Sequence, residues 1–72
     1  MTFIKHNKMK DVCCQVLERI ERDRVRVRWW NIAFKDPFPM GSSRGPADEI
    51  ITIKDPENWS RYADVRSIKT GA

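Results

Sequence analysis

Isoleucine and valine together occur 12 times in this chain of 72 residues, and leucine occurs once, at Leu17. Helical cores draw on Leu and Ala, whereas sheets favour β-branched side chains that fit a pleated, half-buried surface. The ratio predicts a mostly β protein. Leu, Ile, Val and Phe make up 16 of the 72 residues, just above the roughly 20% below which chains tend to stay disordered. One small domain over residues 1–72 is therefore expected. At this size a chain buries only about 60% of the surface that its unfolded form exposes. A deep enclosed pocket, a second domain and an elaborate catalytic apparatus are excluded on that ground, and self-association becomes an expected source of stability.

Period-two alternation locates the strands. Residues 11–20 (DVCCQVLERI) set Val12, Cys14 and Val16 against Cys13, Gln15 and Leu17. After Glu21, Arg22 and Asp23 comes the clearest segment, residues 25–34 (VRVRWWNIAF), with Val25, Val27 and Trp29 on one face and Arg26, Arg28 and Trp30 on the other. The two form a long hairpin. Its turn has no Asn-Gly or Asp-Gly pair, so a loop longer than two residues is expected. Residues 35–47 hold three of the four prolines and two of the three glycines, which predicts a long irregular loop. A short strand follows at 49–54. Asp55, Pro56 and Glu57 then make a helix start, with Asp capping and Pro in the first turn, and one short helical turn is predicted near residues 56–62. Trp59 and Tyr62 would share its face. A last strand is expected at 64–69, and a fifth is possible at residues 1–4, in an N-terminal arm spanning 1–10, or by bending the long second strand.

Four to five short antiparallel strands would leave open edges unless the sheet bends strongly on itself. The layout of long hairpin, irregular loop, strand, helical turn and final strand resembles the SH3-like and Sm-like small β-barrels. The VRVRWWN hairpin is also loosely similar to Tudor-type domains. The resemblance covers most of the chain and is one of layout. It implies a fold and carries over no site residue.

Charge is concentrated at the front. Residues 1–35 carry a net +5 and residues 36–72 a net −1, out of +4 overall. Arg19, Arg22, Arg24, Arg26 and Arg28 surround the hairpin. On an extended strand Arg24, Arg26 and Arg28 share a face at about 7 Å intervals, near the spacing of successive phosphates on an extended single strand. Trp30 follows on that face, with Phe34 beyond. A basic track beside aromatic rings is how single-stranded RNA or DNA is held, charges following the backbone and rings stacking on bases. The candidate nucleic-acid residues are thus Arg19, Arg24, Arg26, Arg28, Trp30 and Phe34. The plainer alternative is a solvated strand face on which Glu18, Glu21 and Asp23 pair the arginines.

A regular hairpin would also place Cys13, Leu17, Trp30 and Ile32 together on the outer face. A bulge near residues 17–18 would instead return Leu17 to the core. Such an apolar patch calls for a cover: residues 3–4, the loop with Phe38 and Met40, or another subunit. A homo-oligomer, or a protein partner met through this face or a sheet edge, is the second functional expectation. Adjacent cysteines on a strand point apart, so Cys13 and Cys14 are expected to be reduced, buried and without redox function. His6 has no nucleophile or carboxylate in pattern with it, and His6, Cys13 and Cys14 are too few to form a metal site. The segment 40–45 (MGSSRG) could offer amides to an anion but lacks a Walker lysine and reads as a loop. No enzyme activity, cofactor or metal is expected. No apolar run reaches the roughly 18–20 residues of a membrane span, and a cytoplasmic protein is expected.

Overall fold

The computed structural model describes residues 2–42 and 44–69. Met1 of the possible N-terminal strand and Ser43 of the 40–45 segment lie outside the described residues. In chain order come β1 (Thr2–His6), β2 (Val12–Arg19), β3 (Arg24–Asn31), β4 (Phe38–Pro39), β5 (Gly41–Ser42), β6 (Gly45–Pro46) and β7 (Asp48–Thr52). A single 3-10 turn (Pro56–Asn58), β8 (Trp59–Tyr62) and a short helix, α1 (Val65–Lys69), complete the fold.

The protein is mostly β, as the β-branched composition requires. Six antiparallel strands form one sheet in the order β4-β3-β2-β1-β8, and β7 pairs with β3 on the same side as β4. The division is along the length of β3: Arg24 to Arg28 face β7, and Trp30 and Asn31 face β4. The fifth strand expected at the N-terminus lies inside the sheet, between β2 and β8, so these residues are not an arm. The expected loop at 35–47 contains β4 and the miniature β5–β6 ladder, where Gly45 has φ 127°, a conformation that suits glycine.

The sheet does not close into a barrel. β7 and β8 share no ladder, because residues 53–58 cross the gap as an irregular segment and a 3-10 turn. Ile53 is anchored there by its N–H donating to the Asp23 carbonyl at 2.7 Å.

Both faces of the sheet are covered, and alternation sorts the side chains between them. Ile4, Cys14, Val25 and Val27 form the inner cluster, with Val16, Trp29, Ile51, Ile53 and Trp59 packed around it. Phe3, Cys13, Ile32 and Ile68 form the outer cluster, with Trp30, Tyr62 and Val65. Each pair of neighbours in β1 and β2 (Phe3 and Ile4, Cys13 and Cys14) serves both cores.

Two expectations are corrected at the C-terminal end. The helical turn expected near 56–62 stops at Asn58, and Asp55 makes no side-chain cap there. Trp59 to Tyr62 are drawn into a strand by pairing with β1, His6 against Trp59 and Phe3 against Tyr62. Three residues apart on a strand, Trp59 and Tyr62 point to opposite faces and join different clusters. Conversely, the strand expected at 64–69 is α1. Asp64 Oδ1 accepts from the backbone N–H of Arg66 at 2.8 Å and of Ser67 at 3.1 Å, which is an N-cap. Val65 and Ile68, three apart, then face the sheet together. This is why Ile68, out of step with Val65 for a strand, is buried.

Candidate functional site

A β-bulge decides where the hairpin arginines point. Val16 pairs with Val27, then the register slips and Glu18 pairs with Arg26 and Arg19 with Val25. Leu17 is the extra residue. It is 37% exposed and belongs to neither cluster, so the bulge occurs where it was anticipated but does not bring Leu17 into the core. Residues directly opposite on antiparallel strands share a face. The slip therefore turns Glu18 outward beside Arg26, and turns Arg19 to the inner side with Val25.

Arg24, Arg26 and Arg28 do form a row on the outer face of β3, and each has a carboxylate. Arg24 bonds Glu21 at 3.2 Å, Arg26 pairs with Glu18, and Arg28 makes a two-point contact with Asp48 at 2.9 and 3.3 Å. The Arg28 hydrogen bond holds the Asp48 carboxyl below its ordinary pKa and raises that of Arg28. Exposed pairs such as Arg24–Glu21 add little to folding, about 0–1 kcal/mol. Their larger effect is to neutralise the track.

The aromatic residues divide. Trp30 sits edge-on to Phe3, with ring centroids 5.5 Å apart, and its Nε1–H donates to Gln15 Oε1 at 3.0 Å; the ring is part of the outer core. Phe34 is 62% exposed and stacks on Phe38 with centroids 6.1 Å apart. Of the residues considered for an interface, Cys13 and Ile32 are buried and Trp30 half-buried, under Phe3, Val65 and Ile68. The cover over this patch is thus the chain's own helix, missed because its sequence alternates weakly enough to be taken for a strand. Burial pushes the Cys13 thiol up to about 11 and Cys14 to about 12.

A different set of cations converges on the inner side, where the end of β2, the β2–β3 turn, the crossing segment at 53–56 and β8 meet. A groove opens there in two lobes of about 220 and 570 Å³ that share Arg19, Arg22, Ile53 and Arg61 as lining. Ile4, Val16 and Val25 floor the smaller lobe, and Lys54 and Asp23 border the larger. Arg61 reaches it because it pairs with Ile4 across β1 and β8. Arg19 is steadied by Nη2–H donating to the Arg22 carbonyl at 2.9 Å. Among the described residues, none of Arg19, Arg22, Lys54 and Arg61 makes an ion pair with a carboxylate. Arg19 was singled out from the sequence; Lys54 and Arg61 were not, since no local pattern reveals which distant cations a sheet edge will bring together.

No group of three or more His, Cys, Asp or Glu among the described residues could hold a metal ion, and no described helix is long and apolar enough to cross a membrane. Compared with protein-family models, curated proteins and solved structures, the chain matches none of them.

Proposed function

We propose that this chain is a small module, without catalytic function, that binds single-stranded RNA or DNA. The observation that supports it is the gathering of Arg19, Arg22, Lys54 and Arg61 on one groove with no carboxylate partner among the described residues. Uncompensated guanidinium groups near one another repel, and a polyanion relieves that repulsion while gaining forked hydrogen bonds. Arg24, Arg26 and Arg28, on the outer face, form a separate basic surface whose exposed pairs are exchanged for phosphate at small cost. Phe34, stacked and exposed, is the ring available to a base. The meander of β1, β2, β3 and β7, with a 3-10 turn before a last strand on β1, supports likeness to an opened SH3-like barrel.

Titration of a labelled single-stranded oligonucleotide, followed by anisotropy at two salt concentrations, tests this. Four phosphate contacts predict a slope of log K against log salt of about −3. Phe34→Ala should weaken binding by about 1–3 kcal/mol, the worth of one stacked base. Trp30→Ala should cost stability, about 3 kcal/mol, and leave the affinity of the folded protein unchanged. Absence of binding at low salt rejects the reading.

A second reading, a homo-oligomer or a protein-binding module, is favoured by one observation. β7 and β8 are each paired on one side only among the described residues, and such edges invite another strand.

A further inference from the structure

The groove has more than charge. Its cations stand around a recessed apolar floor: Ile4 and Val25 are only 5% and 7% exposed, and Val16 and Ile53 complete the surface. A site for bare phosphate needs donors and no such floor. A site for a bilayer needs apolar side chains that project, and these lie below the rim. The combination suits a ligand with a compact anionic group joined to one flat, weakly polar group.

We propose that the groove between the end of β2, the crossing segment at 53–56 and β8 is a nucleotide site, holding a phosphate among Arg19, Arg22, Lys54 and Arg61 with the adjoining base laid on Ile4, Val16, Val25 and Ile53. The lobe with the apolar floor holds about 220 Å³ and shares Arg19, Arg22, Ile53 and Arg61 with the lobe of about 570 Å³ that Lys54 lines, the latter within the roughly 300–1,000 Å³ of small-ligand clefts. Binding here requires a nucleotide free of its stack, so the site discriminates single strands and free nucleotides from duplex. This rests on the nucleic-acid reading for its polymer ligand, and on the groove alone for a free nucleotide.

The bulge is what makes the site. Without the bulge, Leu17 would pair in register opposite Arg26, and period-two alternation from Val16 would send Glu18 inward and Arg19 outward. With it, the carboxylate goes to Arg26 and the guanidinium to the groove.

The test uses the full chain and two probes of like charge, adenosine 5′-monophosphate and ribose 5-phosphate, each added to ¹⁵N-labelled protein and to its complex with a labelled oligonucleotide. The expected result is amide shifts at residues 4, 16, 53 and 61, with the nucleotide bound about tenfold more tightly than the sugar phosphate. Arg61→Ala should lower nucleotide affinity about tenfold, the loss of one charge-assisted hydrogen bond; Arg22→Ala, on the exposed turn, serves as the second variant should the first misfold. Equal affinity for the two probes, or shifts confined to other residues, overturns the proposal. So does binding to anionic phosphatidylserine vesicles that the nucleotide does not displace. Failure of this site and failure of the polymer reading are separable. Oligonucleotide binding that survives both variants removes the groove and leaves the polymer. Nucleotide shifts without oligonucleotide binding remove the polymer and leave the groove.

Discussion

At the residue scale, the neighbours Cys13 and Cys14 show how alternation divides labour. Each thiol is enclosed, on opposite faces, and burial raises both pKa values from 9.0, to about 11 and about 12. An acid whose pKa is raised by folding contributes stability that is complete below the unfolded value and is lost as pH rises through the folded one. Stability should therefore hold up to about pH 9 and fall between pH 9 and about 11 to 12. Chemical denaturation across that range, with a Cys13→Ala/Cys14→Ala double variant as control, checks it: the double variant should lose much of the alkaline decline. An unchanged decline would assign it to other groups. Asp48 carries the opposite sign. Its pKa is lowered by Arg28, so its contribution is present above about pH 3.8 and lost as pH falls through the lower folded value.

At the scale of elements, α1 is one and a half turns long, yet it completes the outer core. Isolated helices this short do not form in water; the Asp64 cap and the burial of Ile68 against Phe3, Cys13 and Ile32 hold it. Ile68→Ala should cost about 2–5 kcal/mol, the range for truncating a buried isoleucine, and should do so on one face only. Alkylation of the native protein followed by peptide mapping should then show faster modification of Cys13 while Cys14 stays protected. Equal acceleration of both thiols would mean that the two clusters unfold together. The hairpin of β2 and β3 was legible in advance because its pattern is local: VRVRWW alternates within one strand, and Val27 pairs with Val16 as that alternation demands. The 56–69 stretch was not. Its residues carry mixed propensities, and Trp59 to Tyr62 become a strand only because β1, from the other end of the chain, offers them a free edge.

At the scale of the whole molecule, the formal charge of +4 says less than its distribution. The row of Arg24, Arg26 and Arg28 is the feature most visible in the sequence and is the part that the fold neutralises, through Glu21, Glu18 and Asp48. The groove's cations, which make no ion pair among the described residues, come from four separate places, the end of β2, the β2–β3 turn, the crossing segment and β8. The half-paired β7 and β8 belong to this scale as well. If they drive assembly, sedimentation should show a concentration-dependent oligomer, and Ile50→Pro, which removes an N–H from the open side of β7 while the Ile51 and Ile53 side of the strand keeps its pairing with β3, should abolish it; a monomer at every concentration rejects self-pairing.

The sequence by itself determined the fold class, the hairpin and its alternation, the irregular 35–47 segment and the need for a bulge or a cover beside Leu17, because these follow from side-chain shape and period along contiguous residues. Only the tertiary structure decided that the cover is a helix, that Trp59 and Tyr62 lie on a strand, that the sheet stays open, and that Arg19 meets Lys54 and Arg61 at the opening. Those outcomes depend on pairings between distant segments, and the free energy of burying a shared face outweighs the few tenths of a kcal/mol by which one residue prefers a local conformation.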